Sequence, residues 1–251
     1  MVRKQHIYFV RYGLTKYPLV ENAGPFDSPL HPIYGYEHGI AISRKLASMP
    51  CPPEVVYSSS LHRSLSTSQM IVHAIGKTEN SILVEDGLVE WLSPSLTVNK
   101  LPDGERLRIR SVQDRIDMSF TEIDPSYKSL NPIAQDPDNV PDGAPYFFET
   151  EEYLIEKRTK VTIDRIIEHA DGKNICIVSH VPCAQAMALY LEGAPSIEES
   201  KIGPWPLGGI TLFTREEGSE KWNLEMYADC SHMPGEYKNG LKEWSLPSLT
   251  K

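Results

Sequence analysis

His6-Ile7-Tyr8-Phe9-Val10-Arg11-Tyr12-Gly13 is the stretch on which the reading of this 251-residue chain turns. Four consecutive apolar residues, two β-branched and two aromatic, predict a short buried strand. The strand breaks at Arg11-Tyr12-Gly13. An arginine at the carboxyl end of a strand, followed by a glycine turn, is where an α/β sheet places its ligand chemistry.

Three more stretches repeat the pattern of an apolar strand that ends in polar groups. Val55-Val56-Tyr57-Ser58 runs into Ser59-Ser60-Leu61-His62-Arg63. Ile82-Leu83-Val84 is followed by Gly87-Leu88-Val89-Glu90-Trp91. Ile175-Cys176-Ile177-Val178, the most hydrophobic strand, ends at Ser179-His180. Helical patterns lie between them: Ile42, Leu46 and Met49; then Leu61, Leu65, Val72 and Ile75 with Gly76 as stop; then Glu151 to His169; then a helix beginning near Pro182. Strands alternating with helices predict an α/β three-layer sandwich with a mostly parallel central sheet. Gly208 to Phe213 and Trp222 to Met226 read as a terminal hairpin, and the tail beyond Tyr237 as surface.

Parallel strands share one carboxyl edge, so Arg11, Arg63, Glu90 and His180 are expected to converge there. Two guanidinium groups, a carboxylate and an imidazole suit a phosphate, which guanidinium forks grip bidentately. The bland readings are a paired surface arginine for Arg11 or Arg63, a capping carboxylate for Glu90 and a core histidine for His180. Ser58 and Ser59 read as turn and cap residues, and His62 as surface.

These motifs resemble those of the histidine phosphatase (phosphoglycerate-mutase-like) superfamily. Arg11 and Gly13 match its first motif, Ser58 to Arg63 with Thr67 its second, Leu88 to Trp91 its glutamate segment and Val178-Ser179-His180 its second histidine motif. Asp86 to Trp91 and Ile123-Asp124-Pro125-Ser126-Tyr127 are most similar to the TULA (Sts) and ecdysteroid-phosphate phosphatase domains. The resemblance implies that Arg11, Arg63 and His180 bind the phosphoryl group and that Glu90 protonates the leaving oxygen. It departs at the nucleophile, where Tyr12 replaces the family's histidine. A phenol with a reference pKa of about 10 is a far weaker nucleophile at neutral pH than imidazole. Tyr12 is then a filler of a dead site, a ligand-contacting phenol or a poor nucleophile. A second departure is Val181-Pro182, where the proline is expected to hold Val181 extended.

The functional expectation is a phosphate- or phosphomonoester-binding domain that is inactive or strongly impaired, a pseudophosphatase. A weakly active phosphatase and a protein-interaction scaffold with a vestigial pocket are the alternatives. The partner would be a phosphorylated small molecule or a phosphoprotein, with no cofactor and no metal, and homodimers are one assembly the resemblance allows. Net charge is −9, which disfavours non-specific binding to nucleic acid or anionic membrane. Four scattered cysteines, no signal-peptide core and no run near ~20 apolar residues lead to a cytoplasmic expectation, with the nucleus beside it. One domain over 1–251 is expected, carrying a proline-rich insertion over 94–150 that acts as a lid. Its best helix is Ser111 to Met118, and Tyr146, Phe147 and Phe148 would pack the lid or line a substrate mouth.

Overall fold

The computed structural model describes residues 3–16, 27–93, 111–132 and 149–250. Six strands form one sheet: β1 (Lys4–Arg11), β2 (Val55–Ser58), β3 (Ile82–Val84), β4 (Ile175–Ser179), β5 (Ile210–Glu216) and β6 (Asn223–Asp229). Their spatial order is β3-β2-β4-β1-β5-β6. The first four are parallel, while β5 and β6 form the antiparallel hairpin expected from the sequence. β4 lies between β1 and β2 and is buried along its whole length, which explains its unbroken apolar run.

Helices cover both faces. α1 (Tyr34–Ala47) and α2 (His62–Ala74) pack on one, α5 (Thr159–Ala170) and α6 (Val181–Glu192) on the other. The two-residue alternation of β1 divides its side chains between two cores. Ile7 and Phe9 join Ile163, Ile166 and Met187, whereas Tyr8 and Val10 join Ile42, Leu46, Leu65 and Val72. Each fully buried side chain of this kind contributes about 1.5–3 kcal/mol relative to exposure. At the end of β1, a Cβ on Gly13 would stand 2.6 Å from the Gly35 carbonyl oxygen. The chain after Tyr12 can pass the start of α1 only as glycine.

Residues 111–132 pack around β3. Ser111 caps α3 (Val112–Asp117) with a reciprocal capping box, at the place where the sequence predicts a helix. The Ser81 and Ile82 amides both bond the Glu122 carbonyl, which adds a short parallel bridge to the sheet edge. Glu85 is fully buried and accepts from the Gly87, Leu130 and Asn131 amides and the Tyr127 and Ser129 hydroxyls. Residues 94–110 and 133–148, including Tyr146, Phe147 and Phe148, lie outside the described residues.

Two expectations are corrected, and a third is refined. The helix from Glu151 is not continuous. One α-turn, α4 (Glu151–Tyr153), leads into a π-helical turn, Leu154–Arg158, before α5. The tail runs over the surface as expected but is anchored to it: Leu246 is fully buried, Leu249 nearly so, and Trp244 pairs with Trp205 in an antiparallel bridge. Finally, Val181 is already the first residue of α6, and it is His180 that is extended as its N-cap. The missing Pro182 N–H costs nothing in a first helical turn. Among the described residues, no helix is long and apolar enough to cross a membrane.

Candidate active site

The carboxyl edge of the parallel strands gathers the residues that the sequence singles out. Arg11 ends β1 directly opposite Ser179 of β4, which puts His180 next to Tyr12. Ser59 follows β2, and Arg63 sits in the first turn of α2. Glu90 comes in on the loop after β3.

Arg63, Glu90 and His180 form one cluster, with Arg63 and His180 buried and Glu90 at its partly exposed edge. Arg63 Nη2 lies 3.3 Å from Glu90 Oε2 and 3.1 Å from His180 Nδ1. His180 Nδ1 is 3.2 Å from Glu90 Oε2. The other imidazole nitrogen, Nε2, meets Ser59 Oγ at 2.9 Å, so Ser59 is a site contact as well as a turn residue. Glu90 Oε1 accepts from the Trp91 amide at 3.0 Å.

Burial alone would raise the Glu90 pKa, but His180, Arg63 and the Trp91 amide together hold it down to about 2. His180 has no exposed surface, and burial drives its pKa down to about 4, the Arg63 charge acting in the same direction against Glu90. At neutral pH the cluster therefore holds an ionised carboxylate, a neutral imidazole and a guanidinium.

Tyr12 covers this cluster. Its ring stands edge-on to the His180 imidazole, 5.3 Å between centroids, and Arg63 Cζ lies 4.9 Å from its centroid. Arg11 is engaged elsewhere: its Nη1 donates to the carbonyls of Trp205 at 2.5 Å and Lys242 at 2.7 Å. The structure thus brings Tyr12, Arg63, Glu90 and His180 into contact and holds Arg11 beside them through the carboxy-terminal segment.

Two buried ion pairs that build this edge are not apparent in the sequence. Arg158, on the π-helical turn, donates to the Gly87, Val89 and Glu90 carbonyls at 2.9, 2.8 and 3.4 Å and forks onto Glu149. Glu149 in turn accepts from the Leu92 amide. Together they clamp both sides of the Glu90 loop. The Ser179 hydroxyl and the Cys183 thiol pin the same loop through the Leu88 and Val89 carbonyls. The second pair is Asp27 with Arg115, 2.6 Å apart and buried, which joins α3 to the start of α2, where Asp27 also accepts from the His62 amide. His62 is partly exposed, and its ring packs edge-on against Phe120 at 5.1 Å.

No protein-family model matches the chain, and neither does any curated protein. Solved structures do. The ecdysone phosphate phosphatase from Bombix mori, in complex with tungstate, superposes with a TM-score of 0.63 at 15% identity, covering 89% of this chain and 93% of that one. A phosphoglycerate mutase from Bacillus anthracis str. Sterne gives 0.58 at 21% identity, covering 92% and 96%. A histidine-to-alanine mutant of the phosphoserine phosphatase from Entamoeba histolytica, in complex with phosphoserine, gives 0.54 at 18% identity, covering 91% and 99%. With its six-stranded mixed sheet and helices on both faces, the chain has the fold of the histidine phosphatase and phosphoglycerate-mutase-like proteins.

Proposed function

We propose that this chain is a pseudophosphatase, a domain that binds a phosphate group or phosphomonoester and does not hydrolyse it. One observation carries the reading: the ring of Tyr12, which the motif resemblance aligns with the family's nucleophile, lies against both His180 and Arg63. Phosphoryl transfer on this fold by way of an imidazole needs a nitrogen facing the phosphorus. The phenol supplies a hydroxyl with little nucleophilic character.

The protonation states support the same reading. A general acid must hold its proton at the working pH, and Glu90 is held ionised down to about 2. His180 is a poor substitute nucleophile, because it is fully buried and its Nε2 is occupied by Ser59. Binding, by contrast, is well provided for. Arg63 faces Glu90, and the Arg11 guanidinium beside them has only neutral carbonyl acceptors, which leaves a surplus positive charge in an acidic protein; Tyr12 can donate one hydrogen bond to a phosphate oxygen. That a histidine-to-alanine mutant on this fold holds phosphoserine supports binding that outlasts the loss of a histidine. The ligand is a phosphorylated small molecule or a phosphoprotein.

The test pairs turnover with binding. The protein should release no p-nitrophenol from p-nitrophenyl phosphate above the background of Arg63→Ala. Orthophosphate should raise its melting temperature, and Arg63→Ala should abolish that rise. Turnover that disappears in Arg63→Ala would overturn the reading. Absence of both effects would leave the scaffold alternative.

A further inference from the structure

The carboxy-terminal segment makes an unusual contact with the candidate site. Lys242 is a non-glycine residue with φ of +55°, in the left-handed region. A side chain there is disfavoured, and it persists only where surrounding contacts hold it. Those contacts are present on both sides. Trp205 and Trp244 exchange backbone hydrogen bonds at 2.9 and 3.3 Å, and the Leu207 amide donates to Leu241 at 3.1 Å. Beyond them, the Leu246 amide donates to Gln185 Oε1 at 2.8 Å, and Leu246 is fully buried.

The strained turn points the Lys242 carbonyl at Arg11. That carbonyl and the Trp205 carbonyl both accept from Nη1, at 2.7 and 2.5 Å. Nη1 carries two hydrogens, so it is fully used. Nε is buried, and among the described residues no partner reaches it. Both acceptors are neutral, so the guanidinium keeps its full charge, and Glu90 is taken up by Arg63 and His180. A buried donor with no acceptor carries a desolvation cost that an oxyanion would relieve.

We propose that the carboxy-terminal segment is part of the anion site: the Trp205 and Lys242 carbonyls fix the Arg11 guanidinium through Nη1 and leave its Nε–Nη2 edge to a phosphate oxygen pair. Lys242 is a positioning residue and acts through its backbone; its ammonium group takes no part. This inference rests on the phosphate-binding reading and adds to it the segment that shapes the site.

The test uses orthophosphate titrated calorimetrically into the wild type, Lys242→Gly and Lys242→Val. Both variants lose the ammonium group, and they differ in how readily they take the left-handed turn. Lys242→Gly should bind at least as tightly as the wild type, and Lys242→Val roughly five- to tenfold more weakly. Equal affinity in both variants would overturn the positioning role and leave the anion site standing. Tighter binding by Lys242→Val would mean that the segment blocks the site. If neither variant nor the wild type binds orthophosphate, the anion reading itself fails and this inference falls with it. A second measurement needs no variant. In ¹⁵N-arginine spectra of the ligand-free protein, Arg11 should show hindered rotation about Cζ–Nη1, and free rotation would overturn the proposal.

Discussion

Replacing Arg158 with methionine keeps the aliphatic length and removes every contact of the guanidinium group. The Glu149 carboxylate, with no exposed side-chain surface, loses its counter-ion, and the Gly87 carbonyl loses a donor at 2.9 Å. Breaking a buried ion pair from one side costs about 3–5 kcal/mol. The orphaned carbonyl adds up to about 1–3 kcal/mol, softened wherever the loop can move to water. Val89 is spared in part, since its carbonyl also accepts from the Cys183 thiol. A net loss of about 4 kcal/mol should lower the melting temperature by roughly 8–16 °C at this chain length. The double substitution Arg158→Met with Glu149→Leu removes both charges, and it should cost about 2 kcal/mol less than the sum of the two single changes. Urea unfolding of the four proteins measures this directly. A loss below about 1 kcal/mol for Arg158→Met, or simple additivity in the double variant, would refute the clamp.

Two further outcomes follow from the same edge. A Cβ on Gly87 would lie 2.1 Å from Thr162 Oγ1 and 3.0 Å from Thr162 Cβ. Gly87→Ala should therefore push the Glu90 loop away from α5 and cost about 1–3 kcal/mol, and pairing it with Thr162→Ala should recover part of that in a thermal melt. His180 has a folded-state pKa of about 4, below its ordinary 6.5. The unfolded chain therefore takes up this proton first, and stability should fall as pH drops from about 6.5 to 4. The His180 imidazole resonance should titrate near pH 4, and His180→Gln should flatten the loss of stability over that window. A midpoint near 6.5 in the folded protein would contradict the buried neutral ring.

The features that the sequence makes legible are local. Four apolar runs each break into a polar group, and each break falls at a strand end of the site, because a buried strand needs an apolar run and its carboxyl end does not. Arg11, Tyr12, Arg63, Glu90 and His180 were found in this way. Features that depend on distant partners were hidden. Arg158 belongs to no motif, and the groups that its guanidinium meets, the Gly87 and Val89 carbonyls, lie about 70 positions away in the chain. Asp27 stands in a loop with nothing local to mark it, because its partner, Arg115, lies 88 positions away. The tail is polar and contains proline, yet it is anchored by a few apolar side chains, such as Leu246 and Leu249, with no periodicity to announce them. Its backbone contact with Arg11 leaves no trace in side-chain pattern at all.

The central claim is that Tyr12, standing where an imidazole would be needed, is the main barrier to turnover at this site. It is tested most directly by assaying Tyr12→His beside the wild type for p-nitrophenyl phosphate hydrolysis at neutral pH. The imidazole would restore a nucleophile beside His180 and Arg63, and the loss of a covalent nucleophile costs on the order of 10⁶ in kcat in an unrelated protease. The account predicts no measurable turnover by the wild type and a gain of at least roughly 10³ in Tyr12→His, abolished by adding Arg63→Ala. Hydrolysis by the wild type that depends on Arg63, or a Tyr12→His protein that stays inactive while still binding orthophosphate, would contradict it.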